Sequence, residues 1–471
     1  MLMTEFDRIF IFLVFAAAIP ATVWVCIEKP KLVPLFFITV LFVFSDSTWG
    51  QLKVESNIYS RGVGMFNFSL LEILLLTAGF ACLIRKLANP QNVRLPAPMS
   101  HYFVALLILL VMHILVGTHF RIDVFTILSN NGIINVLNMM IFMYMVIMAF
   151  NREKDENRIL RAVILLAAVR AVFGLVRYFA FGGDTANPYQ NFEGLDTKLV
   201  YFDIADNFVA CLAAFWAAWL LTADHVRLSF FKRLGLYAFL AVEVAVVALS
   251  FRRSSLIGLA LMFIFLLFRI SSKQRLKLIC LGLCIMTVSA VVLFQQRLQY
   301  SSTGNFLTTL IYDMTPDRAS SNRFYEWAAA MKSVGDNWLV GLGTWGTFTG
   351  DADILSYHTE KNFNFIHSGF GHLVLKSGVI GLLLFLAVIG SYARTYFRHW
   401  KTLTGNARLL LDIGFAGFIF WIPTLVIGTP IIEYRTMLMI GLALALPFVA
   451  INLKTDSLVT NNRFLNRHAT A

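Results

Sequence analysis

Two adjacent arginines, Arg252 and Arg253, stand in the segment Ser250-Phe251-Arg252-Arg253-Ser254-Ser255-Leu256-Ile257-Gly258, between two apolar runs. A guanidinium presents a rigid fork of N–H donors that matches phosphate oxygens. The chemistry this suggests is the holding of a diphosphate at a membrane surface. The alternative is a pair that reaches up to ordinary lipid headgroups. A second segment, Ser321 to Lys332, carries Arg323 and then Phe324, Trp327 and Met331 at helical spacing. That is the pattern of an amphipathic helix lying at an interface, with Arg323 near its start. A third, Ile366-His367-Ser368-Gly369-Phe370-Gly371-His372, leads into another apolar run. An imidazole can take a proton from a hydroxyl, so His367 is the candidate general base. His372, five residues on, turns to a different face of the helix.

Other patterns carry less. Gly341-Leu342-Gly343-Thr344-Trp345-Gly346 has the spacing of a dinucleotide-binding loop, but no strand–helix–strand unit surrounds it, and the match is a coincidence. Asp351 and Asp353 could chelate a cation, but a solvated carboxylate pair is the simpler reading, and no metal or cofactor is expected. Arg170 and Arg177, seven apart, and Glu243 are ionisable groups inside apolar runs, which makes them suspects for function by default.

The elements that must position these groups are membrane helices. Hydrophobic residues make up 58% of the 471 and charged residues 14%, which no soluble core can accommodate. A soluble enzyme, a disordered chain and a secreted disulfide scaffold are thereby excluded. The five cysteines, Cys26, Cys82, Cys211, Cys280 and Cys284, all lie in apolar stretches and read as small core residues. Runs long enough to approach a bilayer crossing fall at about 9–27, 31–45, 67–84, 100–117, 133–150, 158–180, 203–222, 233–250, 254–270, 276–296, 366–397, 408–428 and 436–453. The expected fold is an all-α polytopic integral membrane protein of about 12–13 transmembrane helices with one large periplasmic loop. The run 366–397 is too long for one straight span, and Gly378 with Gly381 suggests a surface helix that bends into the membrane.

Charge sorts the connecting segments. Segments 28–31, 85–94, 152–161, 224–233, 269–277, 394–408 and 454–467 hold 23 of the 39 Lys+Arg and alternate with the rest. By the positive-inside rule they are cytoplasmic. The opposite side receives 183–202, the Arg252-Arg253 turn, the 70-residue stretch 297–366 and 428–435, along with most of the acids. The net charge of +12 is thus a topology signal, and nucleic acid is not an expected partner. The organisation expected is N-terminal transmembrane helices over 1–200, a core over 201–453 that includes the loop 297–366, and a cytoplasmic tail, 454–471.

The series Ser250 to Leu259, then Arg323-Phe324-Tyr325-Glu326-Trp327 with Val340-Gly341-Leu342-Gly343, then His367-Ser368 leading to Gly378-Val379-Ile380-Gly381, resembles the O-antigen ligase/polymerase family. The resemblance covers about 235–400. Three differences stand out: Ser368 where Asn is usual, Lys376 where an acid is common, and Asp196-Thr197-Lys198-Leu199 where a ligase has another outer arginine. On this reading Lys198 takes that arginine's place, and either Arg252 or Arg253 matches the family's arginine after the turn.

The resemblance implies a multi-spanning (GT-C-like) glycosyltransferase of the bacterial inner membrane, metal-independent and inverting, with its site facing the periplasm. The donor would be a glycan on undecaprenyl diphosphate, and the acceptor a hydroxyl of another glycan or of lipid A core. His367 would be catalytic; Arg252, Arg253, Arg323 and Lys198 would bind the diphosphate. The sequence does not separate ligase from polymerase, though Lys198 and Ser368 tilt the reading toward a polymerase. The alternative of another class is a lipid-linked sugar flippase or other transporter, whose charged path would run through the middle of the bilayer.

Overall fold

The computed structural model of the chain describes residues 5–43, 70–88, 97–128, 134–150, 155–184, 198–223, 228–280, 319–350, 362–428 and 430–469, with positions 282, 287 and 291. The described part is an all-α membrane protein with one two-stranded hairpin. In hydrocarbon every backbone N–H and C=O must be bonded within its own segment, so apolar runs become helices. They are α1 (Glu5–Glu28), α2 (Leu32–Val43), α3 (Leu70–Ala88), α4 (Ala97–His119), the single turn α5 (Val124–Ile127), α6 (Ile134–Ala149) and α7 (Asp155–Ala180). There follow α8 (Ile204–Thr222), α9 (Phe230–Ala248), α10 (Arg253–Arg269), α11 (Ala319–Val334), α12 (Gly369–His399), α13 (Gly405–Ile427) and α14 (Tyr434–Ala469).

Six of these, α4, α7, α8, α12, α13 and α14, contain segments long and apolar enough to cross a bilayer. Ala16–Glu28, Leu32–Val43 and Ile134–Ala149 are shorter apolar helices. The 12 described residues of α2 reach about 18 Å, and residues 44–45 of the run expected at 31–45 lie outside the described residues. The charged segment 454–467, expected as a tail, continues α14 as helix as far as Ala469. Cys26, Cys82 and Cys211 are buried as expected, but Cys280 is exposed.

The helices α8 and α14 form the centre. Nearly every position of α8 is buried, as is each of residues 434–450 of α14. Close approach depends on small residues, the usual device where helices meet in lipid. A Cβ on Gly258 of α10 would come within 2.8 Å of the Phe420 carbonyl of α13.

The segments sort by side as their charges require. At one end of the bundle Arg269 of α10 meets Asp412 of α13 at 3.1 Å, Tyr396 donates to the same carboxylate at 2.8 Å, and Lys31 pairs with Asp155 at 2.7 Å. These belong to, or adjoin, the densely basic segments. At the other end Val200 N–H donates to the Leu249 carbonyl, Asn135 donates to Ile431, and Tyr434 donates to Leu71. The candidate residues lie at this second end.

A platform sits on it. The helix α11, the strands β1 (Phe348–Thr349) and β2 (Asn362–Phe363), and the start of α12 enclose a small core of Ala330, Val334, Phe348, Phe363, Ile366 and Leu375. The platform is locked to α12 at Gly378, which breaks that helix with φ of 65°. A break leaves N–H groups without helical acceptors. Here Val379 N–H donates to the Trp338 carbonyl at 2.9 Å and Ile380 N–H to Leu339 at 3.1 Å. Gly341, also at positive φ (73°), fits against the same break, because a Cβ there would meet Gly378 N. The Gly-Leu-Gly stretch is therefore a packing device.

This lock gives a contrast between two glycines of one helix. A Cβ on Gly378 would run into the Leu339 carbonyl, whereas one on Gly390 meets nothing within 4 Å. Gly378→Ala should lower stability by at least about 1–3 kcal/mol, the range for a side chain forced into left-handed backbone. Gly390→Ala should be neutral or slightly stabilising. Thermal unfolding of the two variants in detergent checks this.

Candidate functional site

The arginine turn is built from three pieces of backbone. Chain reversal between α9 and α10 runs through Phe251 at φ of 52°, a conformation that an aromatic residue adopts only under constraint. Residues 198–203 pack alongside. The carboxylate of Asp184 pairs with Arg177 at 3.0 Å and accepts from Phe202 N–H at 2.9 Å. Phe202 in turn lies beneath Arg252, whose guanidinium is 4.4 Å from the ring centroid. Arg252 is the N-cap of α10, and Arg253 is its first residue. The first N–H groups of a helix lack intrahelical acceptors and sit at the positive end of its dipole, an arrangement suited to anions. Both arginines are half-buried, and Lys198 is exposed on the adjoining segment.

His367 belongs to the platform. Its ring Nδ1 lies 3.0 Å and 3.1 Å from the two carboxylate oxygens of Glu326, and its backbone N–H donates to Glu326 Oε2 at 3.1 Å. The Glu326 side chain is 8% exposed and the His367 side chain 30%. A proton on Nδ1 shared with that carboxylate makes Nε2 the basic nitrogen of the neutral ring. Ser368 is the N-cap of α12, its Oγ accepting from Gly371 N–H at 3.1 Å. Ser and Asn cap helices about equally well, so Ser368 in place of the usual Asn preserves this task and carries no weight toward a polymerase. His372 is buried on the other side of the helix.

Both groups lean on the same end of α13. Gly258 packs on Phe420, and Gly369 packs on the Leu425 carbonyl, which a Cβ there would approach to 3.0 Å. Phe420 and Leu425 are five residues apart, about 7.5 Å along the helix, and Arg253 precedes Gly258 by the same interval. The start of α10 and the start of α12 therefore stand at one level beside α13. Arg323 lies in the first turns of α11, with its side chain outside the described residues. Asp351 and Asp353 also fall outside them. Among the described residues, no group of three or more His, Cys, Asp or Glu is placed to hold a metal ion.

The buried arginines turn out to be paired. Arg170 donates to Asp206 at 2.8 Å and to the Phe42 carbonyl at 3.0 Å. Arg435, in the first turn of α14, bridges Asp203 at 3.0 Å and Asp206 at 2.9 Å. Glu243 is buried apart from this network, with neither carboxyl oxygen hydrogen-bonded among the described residues. Lys376, where the family commonly has an acid, is buried and donates to the Gly346 carbonyl at 2.6 Å.

Sequence reasoning missed two acids of this end, Glu326 and Glu433. Glu326 stands one residue before the Trp327 anchor, where spacing gives no hint of a histidine 41 positions away. Glu433 precedes α14, and its carboxylate accepts from Thr436 Oγ at 2.6 Å.

A polytopic membrane protein with a histidine–carboxylate pair and an arginine-bearing helix start at one end of its bundle is the class this geometry defines. Residues 236–386, a third of the chain, match the family model described as O-Antigen ligase. The resemblance read from the motifs is thus supported over nearly the same stretch, and membrane glycosyl transfer of the O-antigen ligase/polymerase type is the function that goes with it. Comparison with curated proteins returns no match.

Structural and site arginines should separate in a stability measurement. Arg435 is nearly buried between two carboxylates, so Arg435→Ala should cost about 3–5 kcal/mol. Arg252 makes no ion pair with a described residue and rests on Phe202, so Arg252→Ala should cost about 1 kcal/mol or less. Unfolding midpoints of the purified variants would show the difference.

Proposed function

We propose that the chain transfers a glycan from an undecaprenyl-diphosphate carrier to a sugar hydroxyl at the periplasmic face of the bacterial inner membrane, without a metal and with inversion. The observation that carries the reading is the bidentate contact of Glu326 with His367 Nδ1. That contact orients the ring so that Nε2 can accept the acceptor hydroxyl's proton. The oxygen attacks the anomeric carbon as the bond to the carrier's diphosphate breaks, and the electron pair leaves with the diphosphate. Displacement from the opposite side inverts the centre. Arg252, Arg253 and the N–H groups of the first turn of α10 face the charge that develops, with Lys198 and Arg323 as further cations. Preorganised donors of this kind commonly supply the largest part of catalysis.

The acceptor is another lipid-linked glycan or lipid A core. The platform, residues 319–350 and 362–368, belongs in this reading to the periplasmic part of the core. A flippase or transporter fits less well. Such a protein needs charge along a path through the middle, whereas Arg170 is committed to Asp206 and the Phe42 carbonyl and Glu243 stands apart from that network.

Reconstitution with an undecaprenyl-diphosphate-linked oligosaccharide and an acceptor glycan tests the assignment. His367→Ala should lower kcat by about 10²–10⁴-fold, the worth of positioned proton transfer. Glu326→Gln should also lower kcat, by less, with the donor KM little changed. Arg253→Lys should instead raise the donor KM, because lysine keeps the charge and loses the fork. Full turnover by His367→Ala would remove the base from the scheme. Loss of activity on chelation, restored by a divalent cation, would overturn the metal-independent mechanism.

A further inference from the structure

His367 is held between α11 and the start of α12, and so is one indole. Glu326 grips the histidine at Nδ1, and Trp327 follows Glu326 directly in the chain. The Trp327 ring rests against Gly371, where a Cβ would come within 2.6 Å of Nε1 and 2.9 Å of Cδ1. Only a glycine leaves the ring that seat. Gly371 stands four residues past His367, about 6 Å at helical rise. The rest of the indole is open, for Trp327 is 47% exposed. It lies off the buried stripe of α11, formed by Glu326, Ala330 and Val334, and takes no part in the core of the platform. Phe365 adds a second ring, edge-on to the imidazole with centroids 5.4 Å apart.

We propose that Trp327 is the platform for the acceptor sugar, stacking on the C–H face of the pyranose whose hydroxyl His367 deprotonates. The inference rests on the transfer reaction above and names the residue that recognises its acceptor. A pyranose carries hydroxyls around its rim and bare C–H groups on its faces. Those hydrogens, on carbons bonded to oxygen, are slightly positive, and the face of an indole is the negative part of its quadrupole. Stacking hides both apolar surfaces from water and leaves the rim hydroxyls free, one of them for Nε2. A rigid ring with two side-chain torsions also loses little freedom on binding. The competing occupant for such a ring is the headgroup region of the bilayer. That anchor has a better candidate. Trp338, Leu339 and Val340 are three consecutive exposed apolar residues, and the first two cap the break at Gly378 where α12 turns toward the membrane. Trp327 stands in no such run. Among the described side chains of α11, the other exposed ones are Ala328 and Lys332.

The experiment uses the full chain in lipid nanodiscs with a saturating undecaprenyl-diphosphate-linked oligosaccharide, while a water-soluble acceptor oligosaccharide is varied. The acceptor is the donor's own repeat or the lipid A core oligosaccharide, whichever the wild type glycosylates. Trp327→Leu should raise the acceptor KM about tenfold, the upper worth of an aromatic contact. Its kcat at saturating acceptor, its donor KM and its unfolding midpoint should stay as in the wild type. Trp327→Phe keeps a flat ring and should keep most of the affinity. Gly371→Ala leaves the indole intact but pushes it off its seat, and should raise the acceptor KM without lowering the unfolding midpoint. Trp338→Leu should leave the acceptor KM unchanged. Equal acceptor KM in Trp327→Leu and Trp327→Phe would mean that the flat ring is not used, and would overturn the proposal while the transfer reaction stands. A fall in kcat and in stability with the acceptor KM unchanged would overturn it in the same way, leaving Trp327 a structural residue. No transfer by the wild type to either acceptor would overturn both readings.

Discussion

A bilayer has no solvent for an unpaired charge, so an ion held charged within the bundle must sit where a partner can reach it. Asp206 shows how far that constraint shapes this chain. Its carboxylate, 3% exposed, takes Arg170 from α7 on one oxygen and Arg435 from α14 on the other. Breaking such a pair on one side leaves a buried charge uncompensated, which is far costlier than the pair is stabilising. The middle of α7 and the starts of α8 and α14 therefore hold fixed relative positions. Asp203 caps α8 and binds the same arginine, and this sets the segment that carries Phe202 under Arg252. Arg252 is thus oriented, through Phe202, by a charge network that it does not itself join.

A second lock works through backbone. The break at Gly378 turns α12 from a lid over the bundle end into a membrane helix. Its exposed N–H groups are satisfied by carbonyls of Trp338 and Leu339, so the platform and the bend are one construction. His113 of α4 adds a donor to the Val340 carbonyl at 3.1 Å, and Thr344 donates to Ile127. The platform is held to α4, α5 and α12 together. The His367–Glu326 pair spans α11 and the start of α12, the two helical parts that this lock holds in register.

What the sequence made legible followed from local regularities. Apolar run length and charge alternation gave the membrane helices, the two-sided sorting of segments, and a bend near Gly378. The spacing of Phe324, Trp327 and Met331 gave α11. Partnership was not legible, because it joins residues far apart in the chain. Arg170 and Arg177 were visible as intramembrane charges, but only the folded bundle shows that Asp206 and Asp184 answer them. The Gly-Leu-Gly stretch looked like a nucleotide fingerprint that lacked its fold, and its real counterpart is Gly378, 37 positions on from Gly341.

The departures from the family pattern acquire physical meaning once positions are known. Ser368 replaces an amide with a hydroxyl, but the job at that place is to accept from Gly371 N–H and start α12, and both residue types do it. The start of α12 places the positive end of a helix dipole immediately behind His367, beside the carboxylate that binds Nδ1. Lys376 would be alarming as an exchange of an acid for a base if it faced the arginines. It does not: it is buried against the platform and spends its charge on the Gly346 carbonyl, tightening the same loop that Gly341 and Gly343 fold. Lys198 is different, because it is exposed on the segment beside the arginine turn. A flexible ammonium there can follow a mobile phosphate without imposing a geometry on it. In the proposed reading, rigid recognition of the diphosphate then falls to Arg252 and Arg253 at the start of α10, where the first N–H groups of the helix lack intrahelical acceptors.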